Sequence, residues 1–369
     1  MTPASVYGEF ANDRFVRMLA DQTQQLQAQV GDAFARAAPL CIVGGGTKTF
    51  LGRSTKGEPL DITTHRGIVH YQPTELVITA RAGTPLSEIE AVLDEHQQIL
   101  AFEPPHFGGG ATLGGTIACG LSGPRRAYAG AARDFVLGTT LINGRGEVLH
   151  FGGEVMKNVA GYDVSRLMSG AMGTLGVMLE VSLKVLPRPS HELTLAQVST
   201  ATAAIAQMNQ WAGRPLPVSA TCFVDGVLYV RLSGAASAVA SAHRQLGGEI
   251  VDDAADFWAR VREQRHRFFA EATVLWRVSV PPATPSLALA GDCLLEWGAA
   301  LRWLNTAADA ATVRKLAEQA GGHASVWRGD ASNEPFHPLS PALLVVQQRV
   351  KQAFDPKGIF NRGRMYAEL

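Results

Sequence analysis

The glycines of this chain are divided unevenly along its length, and this division limits what the chain can fold into. Of the 38 glycines, 26 lie in residues 1–190 and 12 in the rest, whereas all six tryptophans follow residue 190. Glycine allows backbone to pass close to a ligand or to another segment, and it adopts positive φ without strain. The two compositions predict two domains with different roles, and a length of 369 residues fits that number.

The charge balance and hydropathy exclude several classes of protein. Lys and Arg total 33 and Asp and Glu total 33, so there is no cationic excess to neutralise nucleic-acid phosphates. A hydrophobic content of 46% provides a core that a disordered chain lacks. No secretory signal and no apolar run of the ~18–20 residues that span a bilayer are present. We expect a cytoplasmic protein with no membrane span, and attachment to the inner membrane through a partner stays open.

The hydrophobic periodicity predicts an α+β protein. Apolar spacing predicts a helix over residues 14–36, and Leu40–Val43 reads as a short strand that runs into a glycine triplet. Beyond Pro187–Pro189, helices alternate with hairpin-paired strands, which is typical of an α+β sheet domain. The predicted units are a first domain over residues 1–190, a second over 191–335, and a C-terminal helix and tail over 336–369 that returns to the first.

An apolar stripe of Trp297, Leu301 and Leu304 lies in a predicted element over residues 294–304 with a central Gly298. This stripe indicates core packing or a protein interface rather than a cofactor site. The six tryptophans of the second domain favour an interface.

Three glycine-rich segments carry the chemistry of the first domain. Gly44–Lys48 follows a strand and offers several backbone N–H groups with a lysine beside them, which suits phosphate oxygens, although glycine triplets also occur in plain turns. Residues 111–126 and 157–176 are similarly rich in small residues. The segments match neither a P-loop nor a Rossmann fingerprint. Several contact segments predict one extended ligand, such as a dinucleotide.

The order of these segments resembles the vanillyl-alcohol-oxidase-type, or PCMH-type, FAD-binding family, and within it the E-type subunits of bacterial glycolate oxidases. The motifs that carry the resemblance are GGGTK at 44–48, PPHFGGGATLGGTIACGLSGPRR at 104–126, GGEVMKNVAGYDVSRLMSGAMGTLGV at 152–177 and FDPKGIFNRGRMY at 354–366. The resemblance implies a two-subdomain PCMH-type FAD-binding domain plus an α+β cap domain with a ferredoxin-like sheet. It also implies noncovalent FAD, because the first loop contains no His or Cys that could tether the flavin.

The resemblance implies site residues position by position. The implied cofactor-binding residues are Gly44, Gly45, Gly46, Thr47, Lys48, Thr112, Gly114, Gly115, Ala118, Ser122, Gly123, Gly176, Val177 and Asn361. Position 362 is Arg where the family usually has Pro, which predicts a less rigid C-terminal loop. Gly45→Glu is expected to abolish FAD binding by crowding and repelling the diphosphate.

Catalysis on a 2-hydroxy acid needs a cation for the carboxylate, a base for the hydroxyl proton and a hydride acceptor. The members of the family that oxidise 2-hydroxy acids themselves carry a metal-binding segment of the type H-x-G-D-G-N-x-H. This chain has no such segment, so no metal site is expected. His106 is a candidate base and Arg364 a candidate cation, and a packing or FAD-contacting role for His106 stays open. Lys157 and Tyr162 fit structural roles better than catalytic ones.

The function that the resemblance implies is that of an FAD-binding subunit in a multisubunit glycolate dehydrogenase, which converts glycolate to glyoxylate. The resemblance also implies the partners, a D-type FAD subunit and an iron–sulfur F-type subunit. The four scattered cysteines form no cluster-binding set, so electrons are expected to leave through another protein. Two alternatives stay open. The chain could be a stand-alone flavin 2-hydroxy-acid dehydrogenase, or a structural subunit with a vestigial flavin site.

Overall fold

The computed structural model describes residues 21–153, 163–329 and 334–369, and Lys157 and Tyr162 lie outside them. Helices alternate with antiparallel sheets, which confirms the predicted α+β class. In the first half the elements are α1 Thr23–Arg36, β1 Leu40–Val43, β2 Glu58–Asp61, β3 Ile68–Gln72, β4 Val77–Arg81, α2 Leu86–Glu95, β5 Gln98–Ile99, α3 Leu113–Cys119, α4 Arg126–Ala129, α5 Ala132–Phe135, β6 Val136–Ile142, β7 Val148–Gly152, α6 Val164–Met168, β8 Val177–Lys184 and β9 Leu186–Pro187. In the second half they are β10 His191–Val198, α7 Ala201–Ala212, β11 Val218–Val224, β12 Val227–Gly234, α8 Ala236–Leu246, β13 Glu249–Ile250, α9 Ala254–Arg262, α10 Arg267–Ala270, β14 Leu275–Ser279, β15 Asp292–Glu296, β16 Leu301–Asn305, α11 Ala310–Gln319, β17 His323–Arg328 and α12 Pro341–Phe354.

The first half is built on three sheets within the described residues, of which the smallest pairs β5 with β9. β1 and β2 pair in parallel, and five antiparallel strands follow in the order β3-β4-β8-β6-β7. α1, α2 and α3 pack through Val30, Leu93 and Ile117 into one core with β4 and β8. The carboxyl end of β1 and the start of α3 meet beside this core, and they form the candidate site.

The second half carries a larger antiparallel sheet, with eight described strands in the order β13-β10-β12-β11-β15-β16-β14-β17. Successive side chains of a strand point to opposite faces. Trp276 on β14 therefore packs under α11 in one cluster, while Leu275 packs in another with Trp303 and Trp327. Leu51 and Met172 of the first half join that second cluster, so this face of the sheet lies against the first half of the chain.

The predicted stripe of Trp297, Leu301 and Leu304 does not lie on one continuous element. β15 ends at Glu296, a short 3-10 turn covers Trp297–Ala299, and β16 begins at Leu301. The left-handed Gly298, with φ of 66°, makes the turn. As a result Trp297 and Leu301 share one core cluster, whereas Leu304 points to the opposite face.

The C-terminal segment returns to the first half and is held there by buried polar groups. The Nζ of Lys351 on α12 donates to the carbonyl oxygens of Thr174 and Phe360, at 2.7 and 2.8 Å, and pairs with Asp355 at 2.8 Å. The Asp355 carboxylate accepts from the backbone N–H groups of Ile359 and Phe360. Burial lowers the pKa of Lys351, and the Asp355 carboxylate beside it acts in the opposite direction. These bonds fix the segment that leads into the candidate site.

The described residues contain no helix that is both long and apolar enough to cross a membrane.

The buried ion pair between Lys351 and Asp355 is predicted to stabilise the folded chain. Lys351→Met leaves a buried carboxylate without its cation, which costs about 3–5 kcal/mol when a buried pair is broken. We expect the free energy of unfolding in urea to fall by that amount. Arg349→Met on the exposed side of the same helix is the control and should change little. Equal stability of the two variants would contradict the structural role of the pair.

Candidate functional site

A cavity of about 230 Å³ lies where β1, α3 and the C-terminal segment converge. It brings together residues from all the glycine-rich segments and the tail. The predicted site residues that line it are Gly44, Gly45, Gly46, Thr47, Lys48, Thr112, Gly114, Gly115, Ala118, Gly176, Asn361 and Arg364. Residues far apart in the sequence therefore share one concave surface, as a binding site requires.

Close contacts at the glycines of the first two glycine-rich segments shape this cavity. A β-carbon at position 45 would lie 1.4 Å from the carbonyl oxygen of Gly110, and one at position 114 would lie 2.7 Å from the side chain of Ala82. Only glycine lets the two backbones approach to this distance. A side chain at position 45 would meet Gly110, so Gly45→Glu tests loop packing rather than repulsion of a ligand.

The first segment presents unused donors to the cavity. In the part of the chain that the structure describes, the backbone N–H groups of residues 44–48 donate to no acceptor. Thr112 caps α3 by accepting from the N–H of Gly115, at 3.3 Å. A run of free N–H groups beside the start of a helix suits an anionic oxygen.

Lys48 supplies a cation at the same place and is 7% exposed. Its Nζ donates to the carbonyl oxygen of His106 at 3.2 Å and to the Thr47 hydroxyl at 3.3 Å. Burial lowers the pKa of Lys48, against the opposing effects of Cys119 and Glu263. An anion in the cavity would offset that desolvation.

Asn361 and Arg364 attach the C-terminal segment to the cavity wall. The Asn361 side chain accepts from the N–H of Ile42 and donates to the carbonyl of Met172, both at 2.8 Å. The Arg364 guanidinium donates to the carbonyls of Arg53 and Thr49, at 2.8 and 3.1 Å. Arg364 thus lines the cavity while holding the loop that follows Lys48, and its role as a substrate cation stays a prediction.

His106 does not line this cavity. Its imidazole Nε2 lies 3.1 Å from Glu90, and its backbone N–H donates to the Glu263 carboxylate at 3.1 Å. Its contact with the cavity is indirect, through the carbonyl that accepts from Lys48. This placement does not support a base acting in the cavity, and the catalytic role stays a prediction.

Three other predicted residues lie outside the cavity. Val177 is fully buried in β8, next to Gly176. Ser122 accepts from the N–H of Ala132, and Gly123 accepts from the indole of Trp297 at 3.0 Å. Ser122 and Gly123 instead line a second cavity of about 30 Å³ against the large sheet.

Sequence reasoning missed several residues of these cavities. Cys41, Cys119 and Met172 line the first cavity. Arg277 and Glu296 line the second, on β14 and β15. Cys119 and Met172 lie within the quoted motifs, but their residue types gave no signal of a site. Arg277 and Glu296 lie in no motif, because only the pairing of distant strands brings them to the site. Among the described residues, no group of three or more His, Cys, Asp or Glu side chains could hold a metal ion.

The contact between residues 45 and 110 predicts the effect of one methyl group. Gly45→Ala must displace the Gly110 backbone, and overpacking of this kind costs about 1–3 kcal/mol or more. Gly109→Ala is the matched control, because nothing lies within 4 Å of its β-carbon. Thermal unfolding should show a lower midpoint for Gly45→Ala alone. Equal midpoints would mean that the two segments do not touch as described.

Comparisons with known proteins agree with this geometry. A family model described as an FAD binding domain matches residues 16–152. The chain is 50% identical over 349 residues to the glycolate oxidase subunit GlcE of Escherichia coli (strain K12), which covers 95% of this chain and 99% of that protein. It is 39% identical over 85 residues to the glycolate oxidase subunit GlcD of Bacillus subtilis (strain 168), covering 23% of this chain and 18% of that one.

A solved structure of alkyldihydroxyacetonephosphate synthase matches with a TM-score of 0.64 and 14% identity, covering 92% of this chain and 74% of that one. At that identity the likeness shows a shared fold alone. The predicted PCMH-type FAD-binding fold and the FAD cofactor are confirmed, and residues 16–152 contain most of the cavity wall. Identity of 50% along almost the full length of both proteins extends the match beyond the FAD-binding region, and the chain therefore belongs to the family of the glycolate oxidase subunit GlcE.

Proposed function

We propose that this chain is the FAD-binding subunit of a multisubunit glycolate dehydrogenase that converts glycolate to glyoxylate. The observation that carries the proposal is the run of free backbone N–H groups at residues 44–48, next to the buried Lys48. The similarity to GlcE over 99% of that protein supports the assignment to a glycolate-oxidising complex.

The residues present fit FAD. The free N–H groups and Lys48 match the oxygens of a diphosphate, and the small residues Gly114, Gly115 and Ala118 leave room for a flat ligand along α3. Asn361 fixes β1 against residue 172 and so keeps this wall in place. A volume of about 230 Å³ is below the ~300–1,000 Å³ of common ligand pockets. The enclosed part of the cavity is therefore too small for the whole cofactor and suits its central portion.

When bound, FAD supplies a two-electron acceptor for oxidation of the carbon that bears the hydroxyl group. The chain's own residues bind and orient it. Lys48 and the N–H groups of residues 44–48 would hold the diphosphate, while Thr112 and α3 set the opposite wall.

The cysteines near the cavity favour a noncovalent cofactor. Burial raises the pKa of Cys119, although Lys48 and Arg364 act in the opposite direction. A thiol, unlike a thiolate, is a poor nucleophile, so Cys119 stays unreactive toward a flavin at neutral pH. We therefore infer that denaturation would release the flavin from the chain.

The partners and the domain division belong to the same proposal. We infer assembly with a D-type FAD subunit and an iron–sulfur F-type subunit in the cytoplasm, with attachment to the inner membrane only through the complex. The domain boundary is placed at residues 187–190, because β9 pairs back to β5 whereas β10 enters the large sheet. The tail over residues 336–369 completes the FAD-binding domain through Asn361.

Anaerobic addition of glycolate to the purified chain tests which subunit reacts. We expect the flavin absorbance of the isolated chain to stay unchanged and to bleach only in the assembled complex. Bleaching of the isolated chain would instead establish a stand-alone dehydrogenase. A chain that takes up no FAD would establish a structural subunit with a vestigial site.

Ala118 offers a direct test of the cavity. Ala118→Glu places bulk and negative charge on the cavity side of α3, and we expect at least a hundredfold loss of FAD affinity. Ala118→Ser is the matched control and should keep the flavin. Isothermal titration of the apoprotein with FAD measures both variants, and thermal unfolding checks that they fold. Undiminished FAD affinity in a folded Ala118→Glu variant would place the cofactor elsewhere.

A further inference from the structure

The second cavity lies between the two halves of the chain and has an unusual wall. It measures about 30 Å³ and is lined by the indole rings of Trp297, Trp303 and Trp327. Arg277 projects among these rings from β14, with its guanidinium carbon 5.3, 6.0 and 5.9 Å from their centroids. The cation therefore sits in an aromatic cage at the distances of cation–π contacts.

Arg277 has no oxygen partner among the described residues, unlike Arg302 on the neighbouring strand. Among the described residues its guanidinium donates no hydrogen bond and forms no ion pair. Arg302 on the next strand instead donates to the carbonyls of Ala299 and Pro285, at 3.2 and 2.7 Å. Burial, with Arg126 nearby, lowers the pKa of Arg277 to about 10, against the attraction of Glu296. It is still a cation at neutral pH, and it lines the cavity.

A second cation reinforces this charge. The guanidinium carbon of Arg126, at the start of α4, lies 4.4 Å from the centroid of the same Trp297 ring. Within the described part of the chain, Arg126 also forms no ion pair. When Glu296 is protonated, two cations beside one indole ring in a partly buried cleft cost electrostatic free energy, which one bound anion would relieve.

We propose that this cavity binds the carboxylate group of a small organic acid through Arg277. A space of about 30 Å³ exceeds the ~10–15 Å³ that one water needs, and it is far below that of a drug-sized ligand. The occupant is therefore a head group of a few atoms. The identity of the whole ligand as a 2-hydroxy or 2-oxo acid rests on the proposed function, whereas binding of a carboxylate at this cavity does not.

Glu296 couples this binding to a proton. Glu296 is 5% exposed, and its carboxyl group accepts from the indole of Trp303 at 2.8 Å. Burial raises the pKa of Glu296 to about 7, against the effects of Trp303 and Arg277. When Glu296 is ionised it neutralises Arg277 and repels an incoming anion. The carboxylate therefore binds best when Glu296 is protonated, and binding takes up a proton above pH 7.

Other charged and titratable groups surround Glu296. The charged and titratable groups that face it are Arg277 on β14, Cys222 on β11, Arg262 on α9, and Glu103 and Arg126 from the first half. Burial alone would raise the pKa of Glu103, but Arg231 and Arg125 lower it below its ordinary value. Burial raises the pKa of Cys222 well above its usual range. Glu296 is thus the group that sets the pH dependence near neutrality.

The tryptophans give a readout that needs no turnover. Titration of the FAD-loaded chain with glycolate should change its tryptophan fluorescence to saturation, and acetate should compete. Glycolamide, which has the same shape without the charge, should not bind. No saturable change with either acid would overturn the proposal.

Arg277→Met tests the cation directly. Charge-assisted hydrogen bonds are lost, so we expect glycolate affinity to fall about 10- to 100-fold. Arg260→Met removes one exposed cation on α9 and should leave affinity unchanged. Thermal unfolding and FAD content verify both variants, and Arg277→Lys should restore part of the affinity. Equal affinity in folded Arg277→Met and wild type would reject the site.

The pH dependence of glycolate affinity tests the role of Glu296. Glycolate stays ionised from pH 6 to 8, because carboxylic acids titrate near pH ~4. Wild-type affinity should fall about tenfold over that range, while Glu296→Gln should show a flat profile. An unchanged slope in Glu296→Gln would overturn the proton coupling. If glycolate binds without bleaching the flavin, the site is supported and turnover by this subunit is excluded. If glycolate bleaches the flavin and Arg277→Met leaves glycolate affinity unchanged, the site is rejected while turnover by this subunit is not.

Discussion

The close approach of two backbones at Gly45 and Gly110 is the constraint on which the rest of the site depends. A single β-carbon at position 45 would overlap the carbonyl of residue 110. With that contact made, the end of β1 lies beside the start of α3, and the free N–H groups of residues 44–48 face the same space as Thr112. The glycine excess of the first half is therefore a packing requirement, and the binding surface is its consequence.

The C-terminal segment turns this surface into an enclosed cavity. Lys351 and Asp355 anchor the tail with buried polar bonds, and Asn361 then connects β1 to residue 172. A segment more than 300 residues from β1 in sequence thus forms one wall. The chain order, with the large sheet inserted before the tail, keeps the two halves in contact across the aromatic cluster around Trp303.

Local patterns predicted the parts of the structure that depend on neighbouring residues. The strand at Leu40–Val43 and the last helix were predictable, because periodicity and turn residues fix them. The stripe at Trp297 was wrong as a continuous element, since Gly298 takes a left-handed turn that spacing does not reveal. Arg277 and Glu296 could not be predicted as neighbours, because strand order in the large sheet brings them together. Ser122 and Gly123 line the second cavity because the chain turns after α3, and their assignment to the flavin loop stays a prediction.

The ratio of flavin to protein in the purified wild-type chain is the most direct test of whether the chain binds FAD. The visible absorbance of the flavin, measured against protein concentration after exhaustive dialysis with FAD, gives the number of cofactors per chain. We expect one FAD per chain, released intact by denaturation. A colourless chain that takes up no FAD would contradict it.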